Sequence, residues 1–600
     1  MQEHEPRHKE EDHKGGNATF SPSDKQRKTI ALVNKLFDKA KAARSQHDAK
    51  WLGYYKMFRG RQWDLDRPSF RHSEVINMVF QNIQAMVPIM TDSRPKISFL
   101  PTEPADKDFA ELLNDVLDAD WETNNWLQEL TQVIYDSHFY GTGVSRLEYD
   151  PDENFGLGGI VYERADPFYC FPDPDATDVN KKSDFFIYAE PMDTEKLRKK
   201  YPKHKEYIKP DLLDFIDSDK GTGGSSSPKL QRILDPDMPF DGTTNMKAHS
   251  QDQSLVITCY VKDKEVEEKK VKNEEGETEY EQRLKFPKGR KIVLISGVPV
   301  EDTDFPYDDG EFPYSRMINY TDPGRFWGIS EIEQLESPQK IFNKLVSFTL
   351  DVLTLMGNPV WVVDYSSGVD PENLVNRPGL VIEKEPGSEV RREAGTQLQP
   401  YVMQMIDRTK QWFDQVSGVS DVSRGAAAGG VTAASAIESL QDAAQTRIRL
   451  KMRNMDGYLR TVGKQYASRA LQFYRVPRVV RVVGKGQAEM AAQFFRFEVE
   501  DRDGGKVGKA TPFDKDGRAE IENQMEFILK GEFDVRATTS SGLPFAKAEK
   551  ERRLLNLFDR GIIDAEEVLR GIELPNWEAI LERVQAKQAE AAQAEQQQGQ

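Results

Sequence analysis

The stretch SPQKIFNKLVSFTLDVLTLMGNPVWVV, residues 337–363, contains a helix signal followed directly by a strand signal. Ser337 is a capping residue and Pro338 suits the first turn, so this pair predicts a helix start. Apolar residues then recur at helical spacing, namely Ile341, Leu345, Phe348, Val352 and Leu355. The GNP triplet at 357–359 predicts the end of a helix on the order of 28 Å long.

A second helix is predicted after a compact insertion. VWVVDY predicts one strand, and the stretch that ends in SEVRRE predicts turns and another strand. Val402, Ile406 and Trp412 then mark a helix from about 399 to 416. Two helices therefore bracket an insertion of roughly forty residues.

The segment GAAAGGVTAASA, residues 425–436, follows the second helix and carries almost no side-chain chemistry. Small residues are favoured where copies of a chain, or a chain and a ligand, come very close. Composition alone favours an ordinary flexible linker. A long helix follows, because apolar residues recur from Ile437 to about Tyr474, a span on the order of 60 Å.

The N-terminal part of the chain predicts a polar tail and three helices. Residues 1–25 form the tail, which we expect to be disordered. Helical patterns run over 23–58, over 75–89 before a strand that follows Pro95, and over 107–138.

Strand patterns alternate with these helices, so the fold class is mixed α+β. Two strands joined by a Gly/Asp-rich turn are predicted over 141–167, and alternation returns between 255 and 299. The charge-dense segment 262–282 is interpreted as a solvated hairpin rather than a binding patch. RVVRVVGK, QFFRFEVE and FDVRATT predict later strands, and EKERRLLNLFDRG, DAEEVLRGI and NWEAILERVQ predict short helices before an Ala/Gln tail.

Length and charge limit the function classes. With 600 residues the chain is expected to form several domains. Its net charge of −18 disfavours a protein that reads DNA sequence, since phosphate binding needs a basic face. A protein that lets DNA slide past without sticking is still allowed, because each neutralised phosphate adds affinity.

Cysteine usage and hydropathy point to a soluble intracellular protein. Cys170 and Cys259 are far apart, which favours buried inert thiols over a disulfide or zinc site. The N-terminal residues lack the apolar segment of a signal peptide. The longest apolar stretch is interrupted by Asp351 and Pro359, so no membrane-spanning helix is predicted.

No motif predicts catalysis, a cofactor or a metal. GGKVGKA at 504–510 has the wrong spacing for a phosphate loop, and C-x-x-C and G-x-S-x-G motifs are missing from the sequence. Every histidine lies at or before His249. Asp173 and Asp175 could hold a divalent cation, but an Asp/Pro-rich turn explains them better.

Five segments, in this order, resemble the portal proteins of tailed bacteriophages, most closely the short-tailed phage or prophage type. They are YKMFRGRQWD (55–64), INMVFQNIQAMVPIMTDSRPKISFLP (76–101), DPFYCFPDPDATDVNKKSDFFIYAEPMDTEKLRKKYP (166–202), GRFWGISEIEQLESPQKIFNKL (324–345) and SGVSDVSRGAAAGGVTAASAIESLQDAAQTRIRL (417–450). Each is weak alone, but the common order makes the resemblance specific. It covers most of residues 50–575.

The resemblance implies a ring, usually of twelve subunits, at one vertex of the virion capsid. Double-stranded DNA would pass through it without sequence specificity, packaged by the terminase large subunit and later ejected. The implied partners are other copies of the chain, major capsid and scaffolding proteins, and head-tail connector or adaptor proteins. Assembly would take place in the host cytoplasm, without a membrane.

The resemblance also implies a division of the chain into portal subdomains. We expect a disordered tail (1–25), a wing (26–335, with a β-rich insertion at about 221–300), a stem helix (336–357), a clip (358–398), a second stem helix (399–418), a tunnel loop (419–432), a long helix with the rest of the wing (433–548), and a helical crown with a frayed tail (549–600).

Three groups of residues follow as candidate sites. The DNA tunnel loop would consist of Arg424, Gly425, Ala426, Ala427, Ala428, Gly429, Gly430, Val431 and Thr432, since only slim residues leave room for a duplex near a ring axis. Lys340 and Lys344 share one helix face and could form basic belts toward DNA, or could be surface lysines or pair with neighbouring carboxylates. The clip interface with terminase and connector would include Asp364, Asp370, Glu372, Arg377, Glu383, Glu385, Arg391 and Arg392.

Two other function classes stay open at the level of the sequence. One is a non-portal oligomeric structural protein that uses the long helix for packing. The other is a nuclease with carboxylate-bound magnesium, which lacks a convincing ligand cluster.

Overall fold

The protein is described here by a computed structural model. The described residues are 20–63, 68, 71–91, 96–101, 107–211, 252–272, 278–357, 360–375, 380–393, 398–418, 446–475, 478–482, 493–502, 505–512, 525–529, 534–538 and 544–572.

These residues form a mixed α+β fold, which confirms the predicted class. The main helices are α1 Asp24–Phe58, α2 Met78–Thr91, α3 Lys107–Thr123, α4 Trp126–Tyr140, α5 Thr194–Lys200, α6 Glu331–Gly357, α7 Pro400–Ser417, α8 Thr446–Phe473, α9 Pro544–Asp559 and α10 Ala565–Ile572. None of the described helices combines the length and apolar character needed to cross a bilayer.

The strands pair antiparallel throughout. They are β1 Lys96–Leu100, β2 Thr142–Asp150, β3 Gly159–Ala165, β4 Cys170–Pro172, β5 Phe185–Asp193, β6 Gln253–Val261, β7 Val266–Lys272, β8 Thr278–Leu284, β9 Arg290–Ile295, β10 Val298–Asp304, β11 Tyr314–Ile318, β12 Trp361–Val363, β13 Val390–Arg392, β14 Arg478–Val482, β15 Gln493–Arg502, β16 Gly505–Pro512, β17 Met525–Leu529 and β18 Asp534–Thr538. The sheet orders are β10-β9-β6-β5-β4, β11-β2-β3, β14-β15-β16-β17, β1-β18, β12-β13 and β7-β8.

One compact unit combines residues 1–49 with 168–312 around the five-stranded sheet. The first part of α1 packs Val33 and Phe37 against Ile187 and other residues of one sheet face. Leu197 of α5 packs against the opposite face. Alternate strand residues thus point to two apolar layers, which is why this sheet needs a helix on each side.

The two cysteines and the Asp173–Asp175 pair, about which the sequence makes predictions, both lie in this unit. Cys170 and Cys259 are both fully buried and free, which confirms buried thiols, and burial raises the pKa of Cys259 to about 12. Lys39 Nζ lies 3.2 Å from Asp173 Oδ1 and 3.0 Å from Asp175 Oδ2, so both carboxylates already pair with one ammonium. Within the described ranges, metal-ligating side chains do not gather into a group of three or more.

The second unit combines residues 50–167 with 313–600, and helix α8 runs through its core. The apolar stripe of α8 is buried, as the sequence predicts: Ile448, Met452, Met455, Leu459, Val462 and Tyr466. Tyr458 on the same helix lies 2.6 Å from both the Tyr162 hydroxyl and Ser145 Oγ. The described part of the predicted long helix is therefore confirmed over 446–473, and its earlier residues lie outside the description.

The predicted helix over 107–138 is wrong as a single element. The structure has two helices, α3 and α4, because Asn124 and Asn125 interrupt the chain and Asn125 adopts the left-handed conformation (φ 50°). Asparagine tolerates this conformation better than most residues, so it can break a helix without glycine or proline.

Several strand predictions are confirmed, and five strands were missed. The 141–167 pair, the 262–282 hairpin and the strands at RVVRVVGK, QFFRFEVE and FDVRATT all form. The missed strands are β4, β5, β11, β16 and β17, and β16 contains most of the rejected phosphate-loop candidate. Two predicted helices near the C-terminus form as α9 and α10, and the third, at NWEAILERVQ, lies outside the described residues.

The paired helices α6 and α7 as candidate functional site

Helix α6 starts six residues earlier than predicted. It begins at Glu331, and Ser330 Oγ accepts a hydrogen bond from the Ile332 amide at 3.0 Å. Ser330 and Glu333 form the S-x-x-E pattern of a capping box, a start signal that precedes Ser337. The predicted start at Ser337 is therefore wrong, and Pro338 lies inside the helix.

A buried ion pair joins the first turn of α6 to α8. Lys451 Nζ lies 2.5 Å from Glu331 Oε2, and the two side chains are only 1% and 2% exposed. Asn82 and Asn319 each place an amide nitrogen 3.4 Å from the same carboxylate. Burial opposes ionisation, but the Lys451 ammonium outweighs it and lowers the pKa of Glu331.

His138 on α4 is a third titratable group beside this pair. Its Nδ1 lies 2.8 Å from the Ile134 carbonyl oxygen, which can only accept, so Nδ1 carries the hydrogen. Its buried Nε2 has no hydrogen-bond partner among the described residues. Burial, together with the nearby Lys451 ammonium, lowers the pKa of His138 to about 4.

Helix α6 buries a polar stripe. Four buried side chains along its middle recur every fourth residue and carry hydrogen-bonding groups, namely Gln339, Asn343, Ser347 and Asp351, and Phe342 is buried as well. A buried polar side chain without a partner costs stability, so a partner is expected for each.

The partner is segment 72–78, which ends at the first residue of α2 and whose backbone N–H groups donate to this stripe at every second residue; the Met78 N–H also donates to the Ile76 carbonyl at 2.9 Å. The four rungs are Met78 N to Gln339 Oε1 (3.0 Å), Ile76 N to Asn343 Oδ1 (3.3 Å), Glu74 N to Ser347 Oγ (3.1 Å) and His72 N to Asp351 Oδ1 (2.7 Å). We call this set the polar ladder. It also explains why α2 starts at Met78 and not at Val75 as predicted, since the extended backbone before Met78 is already hydrogen-bonded.

The apolar stripe of α6 is not buried within the chain. Ile341 is 39% exposed and Phe348 is 49% exposed, while Leu345 and Val352 are half-buried. An amphipathic helix normally turns its apolar face to a core. Helix α6 therefore presents to solvent the face that the sequence predicts to be covered.

Helix α7 packs against α6 and shows the same excess of exposed apolar residues. Pro400 occupies its first turn and Gly418 ends it with a φ of 71°. Its buried residues follow one stripe, Val402, Thr409, Phe413 and Ser417. Large apolar side chains on its other faces are exposed, namely Tyr401, Met403, Met405, Trp412 and Val416.

The segment between the two helices is a small β-structure. β12 and β13 pair with Trp361 opposite Arg392, and the intervening chain contains short 3₁₀ turns at Tyr365–Ser367 and Pro371–Asn373. The predicted strand-turn-strand insertion is thus confirmed.

Most of the predicted clip charges are exposed in this segment. Two of them stabilise local turns: Asp364 Oδ2 accepts from the Glu389 amide at 2.6 Å, and Asp370 Oδ1 accepts from the Glu372 amide at 3.0 Å. Arg391 lies between two carboxylates, and the Arg392 guanidinium lies 5.5 Å from the centre of the Trp361 ring. Glu372, Glu383 and Glu385 are exposed, and Arg377 lies outside the described residues.

The two predicted stem lysines and the predicted tunnel loop lie outside the segment that carries the clip charges. Lys340 Nζ lies 2.9 Å from Glu336 Oε1 of the preceding turn, and Lys344 is exposed. All nine tunnel-loop residues, from Arg424 to Thr432, lie outside the described residues.

Sequence reasoning missed the polar ladder. A signal was present, because Gln, Asn, Ser and Asp recur at a strict spacing of four, but the apolar stripe on the same helix gave the stronger pattern. The acceptor side chains could be found from the sequence, whereas their partner, more than 260 residues away, could not.

Comparison with known proteins gives one result. A protein-family model described as Phage P22-like portal protein matches residues 34–600. No curated protein matches the chain.

Proposed function

The chain belongs to the phage P22-like portal protein family, and on this premise we propose that it forms a homo-oligomeric ring, of about twelve copies, at one capsid vertex. The family is structural and not enzymatic, and its membership implies a capsid portal role in DNA packaging and ejection. In our proposal, double-stranded DNA enters through the ring during packaging by the terminase large subunit and leaves through it during ejection.

The exposed apolar surface of α6 and α7 carries this proposal. Among the described residues, 23 large hydrophobic side chains are exposed; eight of them lie on α6 and α7, and five more lie in the insertion between these helices. Contiguous apolar surface on a soluble chain marks an interaction site. In a rotationally symmetric ring the same helix pair from the next copy supplies the cover, so each chain both provides and receives the contact.

We propose that α6 and α7 form the stem of the ring and that segment 358–398 forms the clip. The clip would meet the terminase during packaging and head-tail connector proteins afterwards. Its exposed carboxylates and arginines support this role, since complementary charge sets the register and encounter rate of a transient interface more than its affinity. The wing (26–335 and part of 433–548) and the crown (549–600) would contact major capsid and scaffolding proteins.

The electrostatics support passage of DNA without sequence specificity. The chain carries a net charge of −18, so few attractive phosphate contacts would have to break as the duplex advances. Lys340 and Lys344 would add sparse positive charge along the stem. The Glu336 carboxylate already neutralises part of this charge at Lys340.

Phe348→Glu tests the ring. We expect wild-type protein to form rings with a central hole in negative-stain images, and the variant to remain monomeric in native mass spectrometry because the charge falls in the contact between copies. Phe155→Glu is the matched control, since Phe155 is fully exposed on a turn far along the chain from the helix pair. Equal assembly of the two variants, or particles with a solid centre, would contradict the proposal.

A separate experiment tests the tunnel loop. Replacing Gly429 and Gly430 with bulky residues should leave ring assembly intact but impair DNA packaging or retention, because the replacements narrow the passage. Normal packaging by these rings would show that the loop does not line the channel.

A further inference from the structure

The polar ladder matches the repeat of a helix to the repeat of an extended chain. Four residues of an α-helix advance about 6.0 Å, and two residues of an extended chain advance about 6.4–6.8 Å. An acceptor at every fourth position of α6 can therefore meet every second N–H of segment 72–78. The two run in opposite directions, since Gln339 meets Met78 and Asp351 meets His72.

The small mismatch between the repeats is absorbed by the side chains. Over three steps it reaches about 1–2 Å. Gln339, the longest side chain, stands at one end and also accepts from the Val79 amide at 3.2 Å, while its Nε2 donates to the Ile76 carbonyl at 2.7 Å. Asp351 stands at the other end, where Arg71 Nη1 lies 3.3 Å from its second oxygen. Both ends thus hold the segment with more than one contact.

The register of the ladder is fixed. The same series of every fourth residue continues to Leu335 in one direction and Leu355 in the other, and leucine offers no acceptor. A slip by one helical turn would therefore leave one rung without an acceptor. Asn343 adds a lateral bond, because its Nδ2 donates to Gln62 Oε1 at 2.5 Å, which ties the middle of the ladder to the segment that follows α1.

We propose that the polar ladder is a shear joint that resists movement of α6 along its own axis. A force along the helix axis loads all four rungs together, whereas a force that lifts one end of the segment loads them one at a time. The joint passes axial load from α6 to segment 72–78 and then to α2, which follows it directly. This proposal rests on the proposed function for the origin of the load, since a motor and a moving duplex pull along the ring axis.

Amide hydrogen exchange at single-residue resolution tests whether the ladder exists in solution. The N–H groups of His72, Glu74 and Ile76 should exchange slowly. Those of Ser73 and Val75 should exchange fast, since the structure gives them no acceptor among the described residues. Uniform exchange rates along 72–76 would overturn the proposal.

Single-molecule pulling on the full chain tests the mechanical claim. Ser73→Cys is combined either with Glu333→Cys, about 24 Å away along the helix, for shear, or with Leu353→Cys, about 6 Å away, for peeling. All three positions are exposed, and the native thiols are buried, so handles attach selectively. We expect the shear geometry to rupture at about two- to fourfold higher force, because up to four hydrogen bonds share the load. Equal forces in the two geometries would overturn the proposal.

Ladder variants complete this test. Asn343→Ala should lower the shear force toward the peeling force, while Gln334→Ala, an exposed residue of α6 that is not part of the ladder, should leave it unchanged. If Asn343→Ala does not fold, Ser347→Ala removes a single rung with a smaller loss of packing. A shear force that neither ladder variant changes would overturn the proposal. Because single chains are pulled, a failure of ring assembly would contradict only the proposed function.

Discussion

Helices α6 and α8 are nearly equal in length, with 27 and 28 residues, and both show an apolar stripe in the sequence. Helix α8 buries this stripe, whereas α6 leaves it largely uncovered and buries a polar stripe. The apolar stripe of α8 lies in the core of its own chain, from Ile448 to Tyr466. The apolar stripe of α6 is exposed or half-buried, and its polar stripe is covered instead.

This difference shows what an apolar stripe does and does not predict. Both stripes indicate that one face of the helix is covered, because a large apolar surface exposed to water is energetically unfavourable. They do not indicate which chain supplies the cover. The apolar face of α8 is covered when the chain folds, whereas in our proposal that of α6 is covered when copies of the chain assemble.

The largest expected effect concerns the ion pair that joins the two helices. Lys451→Met leaves the Glu331 carboxylate buried without its counter-charge and should reduce the free energy of unfolding by about 3–5 kcal/mol. The measurement is guanidinium unfolding followed by tryptophan fluorescence.

A double variant separates charge from packing in this test. Adding Glu331→Gln to Lys451→Met removes both charges and should recover most of the lost stability. If the single variant unfolds at the same denaturant concentration as wild type, the pair does not hold α6 to α8.

A matched leucine pair, one buried and one exposed, sharpens the comparison between the two helices. Leu459→Ala on α8 removes a fully buried side chain and should cost about 2–5 kcal/mol. Leu353→Ala on α6, where the leucine is 52% exposed, should change the stability of the isolated chain by about 0.5 kcal/mol or less.

Chemical unfolding at low protein concentration checks both values, and native mass spectrometry checks assembly. Leu353→Ala should weaken ring formation even though the chain remains stable. Equal losses of stability in the two isolated chains would show that both leucines are buried within one copy.

Among the buried groups, the smallest expected effect is a pH dependence that arises from His138, which lies beside the first turn of α6. The pKa of His138 is about 4 in the folded chain, below its ordinary value of 6.5, so the unfolded chain binds more protons between these pH values. Stability should therefore be complete above about pH 6.5 and fall as the pH drops, by about 2 kcal/mol between pH 7 and pH 5.

His138→Gln isolates this contribution, because carboxylates titrate in both proteins. The unfolding free energy of wild type should decline faster with acid than that of the variant. Parallel curves would mean that His138 is not buried as a neutral imidazole.

The structure confirms those predictions that depend on local chemistry. The helix over 24–58, the buried stripe of α8 and the strand pair that follows Gly141 could all be predicted, because periodicity and turn residues act over a few positions. The starts of α2 and α6 were misjudged, since Ser330 and the polar ladder form contacts that a local pattern does not rank. The break at Asn125 was missed because asparagine only occasionally adopts the left-handed conformation.

The sequence by itself determined the mixed α+β class, the two helices around a small β-insertion, and the resemblance that the family match confirms. Only the tertiary structure decided which face of α6 is covered, that Glu331 meets Lys451, and that segment 72–78 lies extended along Gln339 to Asp351. The physical reason is distance along the chain. Periodicity and capping arise between near neighbours, whereas the partner of a buried polar group is chosen by the packing of segments that are more than one hundred residues apart.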